Sequence, residues 1–232
     1  MIRYLDTLRS MCLLDIHTHH SSTDGTAILS IAPSELSADC SNTYFSVGYH
    51  PWSLHADRMP DWNLLEEAAH HPQVLAIGET GLDKLIDCPI LLQEEALLRH
   101  VHIAMQTRKP LVLHCVRAYN ELIHLRKEIP TEIIPIIHGY RGNATLARQL
   151  LSKGFYLSFG AYYHDEALRA TPLDRLFLET DESDIPIRTL YERAAALRQV
   201  ETDLFTRSVQ ETIVRVFKPP LPPQCVDAGH IR

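Results

Sequence analysis

Residues 13–26, LLDIHTHHSSTDGT, set an apolar run directly before an aspartate and three histidines packed into six positions. In an extended chain alternate side chains share a face, so Asp15, His17 and His19 point the same way. Two imidazoles two residues apart on one face can converge on one ion. His20 faces the other way or enters the loop. The cluster is a metal cradle only if comparable residues arrive from other parts of the chain; otherwise it is a polar turn after a strand.

Working outward, short apolar runs alternate with helix-like patterns from about residue 11 to 180, the pattern of a parallel sheet. Candidate strands are 11–16, 26–31, 44–48, 74–78, 111–114, 133–137, 155–159 and 175–179. Eight is the number a (β/α)8 TIM barrel requires. Asp61 caps a helix with Leu64, Leu65, Ala68 and Ala69 inward, ending before Pro72. Pro89 opens the next, with Leu92, Ala96, Leu97, Val101, Ala104 and Met105 on one face. Leu122, Ile123 and Ile129 mark a third. Asn143 caps a fourth, stopped at Gly154. Two helices over about 189–217 close the fold. Only about nine residues separate the His17–His19 pair from the second strand, too few for a crossover helix. Either the barrel is distorted by a shortened first crossover, or the second strand is misread.

The chain of 232 residues is 45% hydrophobic and 22% charged, ordinary globular composition. We expect one TIM-barrel domain over 1–218 and a proline-rich tail over 219–232. The five cysteines, Cys12, Cys40, Cys88, Cys115 and Cys225, have no framework spacing. The first ten residues lack the apolar core of a signal peptide, and no run approaches a membrane span. These features predict a reduced, cytoplasmic protein with no membrane association and no implied protein partner, read as a monomer. A net charge of −7 argues against a broad nucleic-acid-binding face. It leaves room for a phosphodiester substrate, since bound metals supply positive charge locally.

In a parallel barrel the C-terminal strand ends surround one mouth, where active sites sit. Those ends supply Asp15, His17 and His19; His50 in GYHPW; Glu79 and Asp83 in GETGLD; His114 and Arg117 in HCVRA; His138 in HGYRG; and Glu179 and Asp181 in ETDES. Six strands each bring a histidine or carboxylate, more than chance readily gathers. A mixed set of this kind suits Mg, Mn, Fe or Zn with open positions. More than four ligands suggests two metals sharing a carboxylate, an arrangement that activates water and clamps a displaced phosphoryl group.

DIHTH, GYHPW, AIGETGLD, LVLHCVRAYNEL, IIHGYRG and LFLETDES, in this order over residues 12–184, resemble the TatD-type metal-dependent deoxyribonucleases of the amidohydrolase-like barrels. The resemblance implies a distorted TIM barrel that cleaves phosphodiester bonds, DNA first among them, with a metal-activated water and one or two divalent ions (Mg, Mn or Zn). By position it implies that His17 and His19 hold a first metal, Glu79 bridges, and His114 and His138 hold a second. Asp181 would bind the first metal and act as general base. His50 and Arg117 would contact the scissile phosphate. The chain departs from the family pattern at Ser183, at Lys84 and in its first crossover.

Alternatives exist for several residues. Asp181 also fits a helix cap, Glu79 and the histidines a hydrogen-bonded core, His50 a turn before proline, and Arg117 cover over a helix start. Asp15 is read as orienting a ligand rather than as one. Asp83 is expected to pair locally, with Arg117 as partner. Cys115 should face the core. Trp52 is open between base stacking and rim cover. His55, His70, His71, His100, His102, His124, His164 and His230 are read as surface. Two other enzyme classes compete. HTHHSSTDG also resembles the opening of PHP-type phosphomonoesterases, and small-molecule amidohydrolases use the same barrel. The later GETGLD and ETD disfavour the first; Glu79, in place of a bridging lysine, disfavours the second. A catalytically silent metal-binding scaffold is the non-enzymatic alternative.

Overall fold

A computed structural model describes residues 13–21, 25–37, 43–55 and 57–220. Cys12, Cys40, Cys225, His230, the first two positions of the 11–16 strand and most of the tail lie outside them. Eight strands form one parallel sheet in sequence order: β1 Asp15–Thr18, β2 Ala27–Ile31, β3 Tyr44–Val47, β4 Val74–Asp83, β5 Leu111–Val116, β6 Pro135–Ile137, β7 Tyr156–Phe159 and β8 Leu176–Leu178. All eight expected strands are present. The second pairs in parallel with the first, so the short crossover is real and the strand is not misread.

Helices follow later strands: α1 Trp62–Ala69, α2 Ile90–Thr107, α3 Tyr119–Leu125, α4 Ala144–Ser152, α5 Asp165–Ala170, α6 Ile187–Arg198 and α7 Thr202–Phe217. Asp61 and Asn143 accept from the backbone N–H three residues on, as caps should. The six-residue α5 is too short to stand out as a periodic pattern in the sequence. Met105 is exposed rather than inward, and the inward face of α2 includes Gln93 and His100 instead. Ile129 is buried just beyond the short 3-10 turn that ends the third helical segment.

Strand β4 runs to Asp83, five residues past its expected end, and all ten of its residues are buried. It passes so close to β5 that a Cβ on Gly81, whose φ is +145°, would lie 2.0 Å from the His114 carbonyl oxygen. Glycine is required there. Among the described residues the β1–β8 seam has no ladder of its own. It closes through a parallel bridge between Thr18 and Asp181, with the Asp181 N–H donating to the His17 carbonyl (3.0 Å) and the His19 N–H to the Asp181 carbonyl (3.1 Å). Among the described residues no helix is long and apolar enough to cross a membrane.

Candidate metal centre

Strand ends bring His17, His19, His50, Glu79, His114, His138 and Asp181 into one place. All but the fully buried His17 line a single cleft of about 490 Å³. Glu79 is its centre. Its Oε1 lies 2.8 Å from His138 Nε2, 2.9 Å from His114 Nδ1 and 3.0 Å from His50 Nε2; its Oε2 lies 3.4 Å from His17 Nε2 and 3.5 Å from His19 Nε2. Asp181 Oδ1 stands 3.8 and 3.7 Å from the same two nitrogens.

A backbone contact fixes the tautomer of one of these rings. The Trp52 N–H donates to His50 Nδ1 (3.1 Å), so a neutral His50 carries its proton on Nε2 and points it at Glu79. His114 Nε2 faces Asp83 Oδ2 (3.2 Å) and His138 Nδ1 faces Glu179 Oε1 (3.3 Å), so each of these rings stands between two carboxylates. Their other nitrogens converge on one Glu79 oxygen, where either protons or cations balance the charge. His17 is fully buried, and neither ring nitrogen has a hydrogen-bond partner among the described residues. Buried polar atoms without partners are costly, and a cation would satisfy them. Carboxylates behind metal-binding imidazoles are the usual supporting arrangement. The residues fit divalent metal. Three groups have ligand atoms all within 4.8 Å of one another: His17–His19–Glu79, His17–His138–Asp181 and His50–Glu79–His114.

The charge states agree. Burial pushes the Glu79 carboxyl up, but His138, His114 and His17 outweigh it and hold it well below the usual carboxylate range. Burial pulls His138 down, yet Glu79 and Glu179 hold its proton well above the usual value. A hydrogen bond to Glu79 raises His19. The pocket is built to concentrate positive charge against one carboxylate.

Several expectations need correction. Asp15 does not join His17 and His19 at the cleft. Its Oδ1 accepts from the Thr180 and His17 N–H groups (3.1 and 3.3 Å) and its Oδ2 from the Thr180 hydroxyl (2.6 Å), while burial pushes its carboxyl up to about 7. It is a seam brace, placed by the irregular register of β1 on β2. Asp83 pairs with His114 and Trp52, not Arg117. Arg117 is exposed, sits at φ +52° and is not part of the cleft wall. Lys84 pairs with Glu121 at 2.5 Å. Cys115, by contrast, packs against the core as expected, is half-buried there and is pushed by burial to about 12.

His100 is not at the surface, where its residue type alone would put it. It is fully buried, accepts the Tyr49 N–H on Nε2 (2.9 Å) and donates from Nδ1 to the Ala96 carbonyl (2.7 Å), fixing the chain just before His50. Its position midway between Ala96 and Ala104, one turn from each, is the signal in the sequence that marks it as inward.

A family model described as TatD related DNase matches residues 14–217, and the chain belongs to this family. The metal-dependent hydrolase YcfH of Escherichia coli (strain K12) is 32% identical over 205 residues, covering 79% of this chain and 77% of that protein. The metal-dependent hydrolase YabD of Bacillus subtilis (strain 168) is 32% identical over 147 residues, 60% of this chain and 58% of that protein. A human protein named 3'-5' RNA nuclease TATDN2 is 32% identical over 147 residues, 58% of this chain but 19% of that protein. Among solved structures, the TatD homologue YjjV of Escherichia coli K12 has the same fold, with a TM-score of 0.76 at 20% identity, covering 90% of this chain and 99% of that one. The chain is a TatD-family metal-dependent hydrolase.

Proposed function

We propose that this hydrolase cleaves phosphodiester bonds in DNA or a small diester. The observation that carries the reading is the convergence of the His17, His19, His114 and His138 ring nitrogens on the two oxygens of Glu79, with Asp181 beside them. In this reading His17, His19 and Asp181 would hold one cation and His114 and His138 a second, with Glu79 shared between them. His50 is left out of the ligand set because its Nε2 carries the proton. Bound divalent cations would supply a water of lowered pKa and neutralise charge on the phosphoryl oxygens. Asp181 takes the proton of the attacking water on its carboxylate, from a side chain only a quarter exposed. The His50 Nε2–H donates to the phosphoryl oxygen where negative charge grows. Arg117 acts only if its loop swings inward.

A second reading is hydrolysis of a small uncharged amide or ester. It is favoured by the cleft wall, which carries Glu35 and Glu182 and no lysine or arginine among the described residues. One assay separates the two. Mn²⁺-loaded protein is offered a single-stranded DNA oligonucleotide, bis-p-nitrophenyl phosphate, a phosphomonoester and dihydroorotate. Chelator-sensitive diester cleavage is the expected result; turnover confined to the monoester or the cyclic amide overturns the reading. Asp181→Asn should retain most metal while losing roughly 10²–10⁴-fold in kcat, the usual range for a lost general base. An active Asp181→Asn protein would remove the base assignment.

A further inference from the structure

The cleft wall holds one large aromatic side chain without an assigned role. Trp52 is 63% exposed, although its position is fixed from two directions. Its indole Nε1–H donates to Asp83 Oδ2 at 2.9 Å, and its backbone N–H donates to His50 Nδ1. Asp83 is itself buried and holds the Leu85 N–H (2.8 Å) and His114 as well. The indole therefore stands against the centre, with ring centroids 4.9 Å from His50 and 6.3 Å from His114. Trp62 provides the contrast. It is half-buried and packs edge-on against Tyr49 and His100, as a structural indole does.

A tryptophan placed to cover a core would bury its ring. Trp52 instead uses its polar edge to anchor and leaves much of its apolar surface open beside the candidate metals. A ring already immobilised loses little conformational entropy when a second ring stacks on it. Away from the histidine cluster the cleft wall offers no lysine or arginine among the described residues, so phosphate contacts away from the metals cannot supply much of the affinity. Planar stacking is the recognition chemistry that remains, and every nucleobase offers a face for it.

We propose that Trp52 is the stacking platform for the base of the nucleotide joined to the scissile phosphate. The substrate is then an unpaired nucleotide unit, as in a single strand or a frayed end, because a base within a duplex must first leave its stack. This rests on the phosphodiesterase reading, and the test keeps the two apart.

Thymidine 5'-(p-nitrophenyl phosphate) and methyl p-nitrophenyl phosphate release the same leaving group and differ by the nucleoside. The readout is the ratio of their kcat/KM values in Mn²⁺-loaded protein. Trp52→Leu should lower that ratio roughly ten-fold or more, and Trp52→Phe, which keeps a ring, should retain most of it. A role confined to propping His114 through Asp83 would slow both substrates alike, and an unchanged ratio overturns the proposal. Binding gives a second readout. In a Trp62→Phe background, thymidine 5'-monophosphate should quench the remaining indole fluorescence; saturation without quenching also overturns it. If the wild-type protein cleaves neither ester, the phosphodiesterase reading fails, and the quenching experiment still decides whether Trp52 stacks on a base.

Discussion

The two sides of the barrel mouth are held in different ways. At the β4–β5 side the register shifts between Ile77 and Thr80 and runs regularly from there, with Gly81, Leu82 and Asp83 paired to His114, Cys115 and Val116. His114 and Asp83 inherit their positions from a hydrogen-bonded ladder, and Glu79 stands at the irregularity just before it. At the β1–β8 seam the ladder is missing. His17 sits on β1, and single bonds tie it and His19 to Asp181 across the gap, with Asp15 gripping Thr180 and Asp181 bent to φ +54°. One half of the candidate metal set is built into the sheet, and the other half is pinned across its gap. Side-chain substitutions should therefore cost fold stability at the seam and mainly metal affinity at the ladder.

The largest expected effect tests the ladder itself. In Gly81→Ala the added Cβ must push β5 away from β4, and we expect more than about 4 kcal/mol of destabilisation, read as a collapse of the thermal transition. A near-wild-type Tm would show that the strand contact is looser than described.

Next is pH. His100 buttresses the β4 side from behind, and burial lowers its pKa from 6.5 to about 4. The unfolded chain binds this proton more readily than the folded one. The contribution is therefore intact above pH 6.5 and falls away between there and about pH 4. Its size is about 3 kcal/mol, because a tenfold difference in proton affinity between folded and unfolded chains is worth about 1.4 kcal/mol. Chemical denaturation of wild type and His100→Gln across that window should show the wild type losing stability more steeply. Parallel slopes would mean that His100 is hydrated or already charged.

Asp15→Ala and Asp83→Ala then compare the sides directly. Asp15→Ala strips the partners from Thr180 and should cost about 2 kcal/mol of stability. Asp83→Ala, within a ladder that persists without it, should cost about half as much while weakening cation binding roughly 10–100-fold through His114. The reverse order of stability losses would refute the distinction between pinned seam and built-in ladder.

Much of this is legible in the chain. Parallel strands are short apolar runs, and a rule about their C-terminal ends gathers His17, His19, His50, Glu79, His114, His138 and Asp181 from far apart in sequence, together with Asp15, Asp83, Arg117 and Glu179; the family resemblance is what separates the two groups. What stays hidden depends on contacts between elements. Gly78 and Gly81 look like strand terminators, so β4 seems to stop at 78, whereas close approach to β5 is what needs them. Asp15 shares a period-two face with His17 only if β1 is regular, and its register shift turns the carboxylate to the seam. Asp83 has a cation, Arg117, at the neighbouring strand end, but its partners come from just beyond the third strand and from the fifth. His100 looks like a surface residue by type, while the helical spacing of Ala96 and Ala104 already places it inside.

The most direct test of the central claim is a Mn²⁺ titration of metal-free protein, followed by calorimetry and electron paramagnetic resonance. Two ions per chain with an exchange-coupled signal, lost in Glu79→Ala, is the result expected of a carboxylate-bridged pair. Failure to bind Mn²⁺, or binding and coupling that persist unchanged in Glu79→Ala, would contradict it.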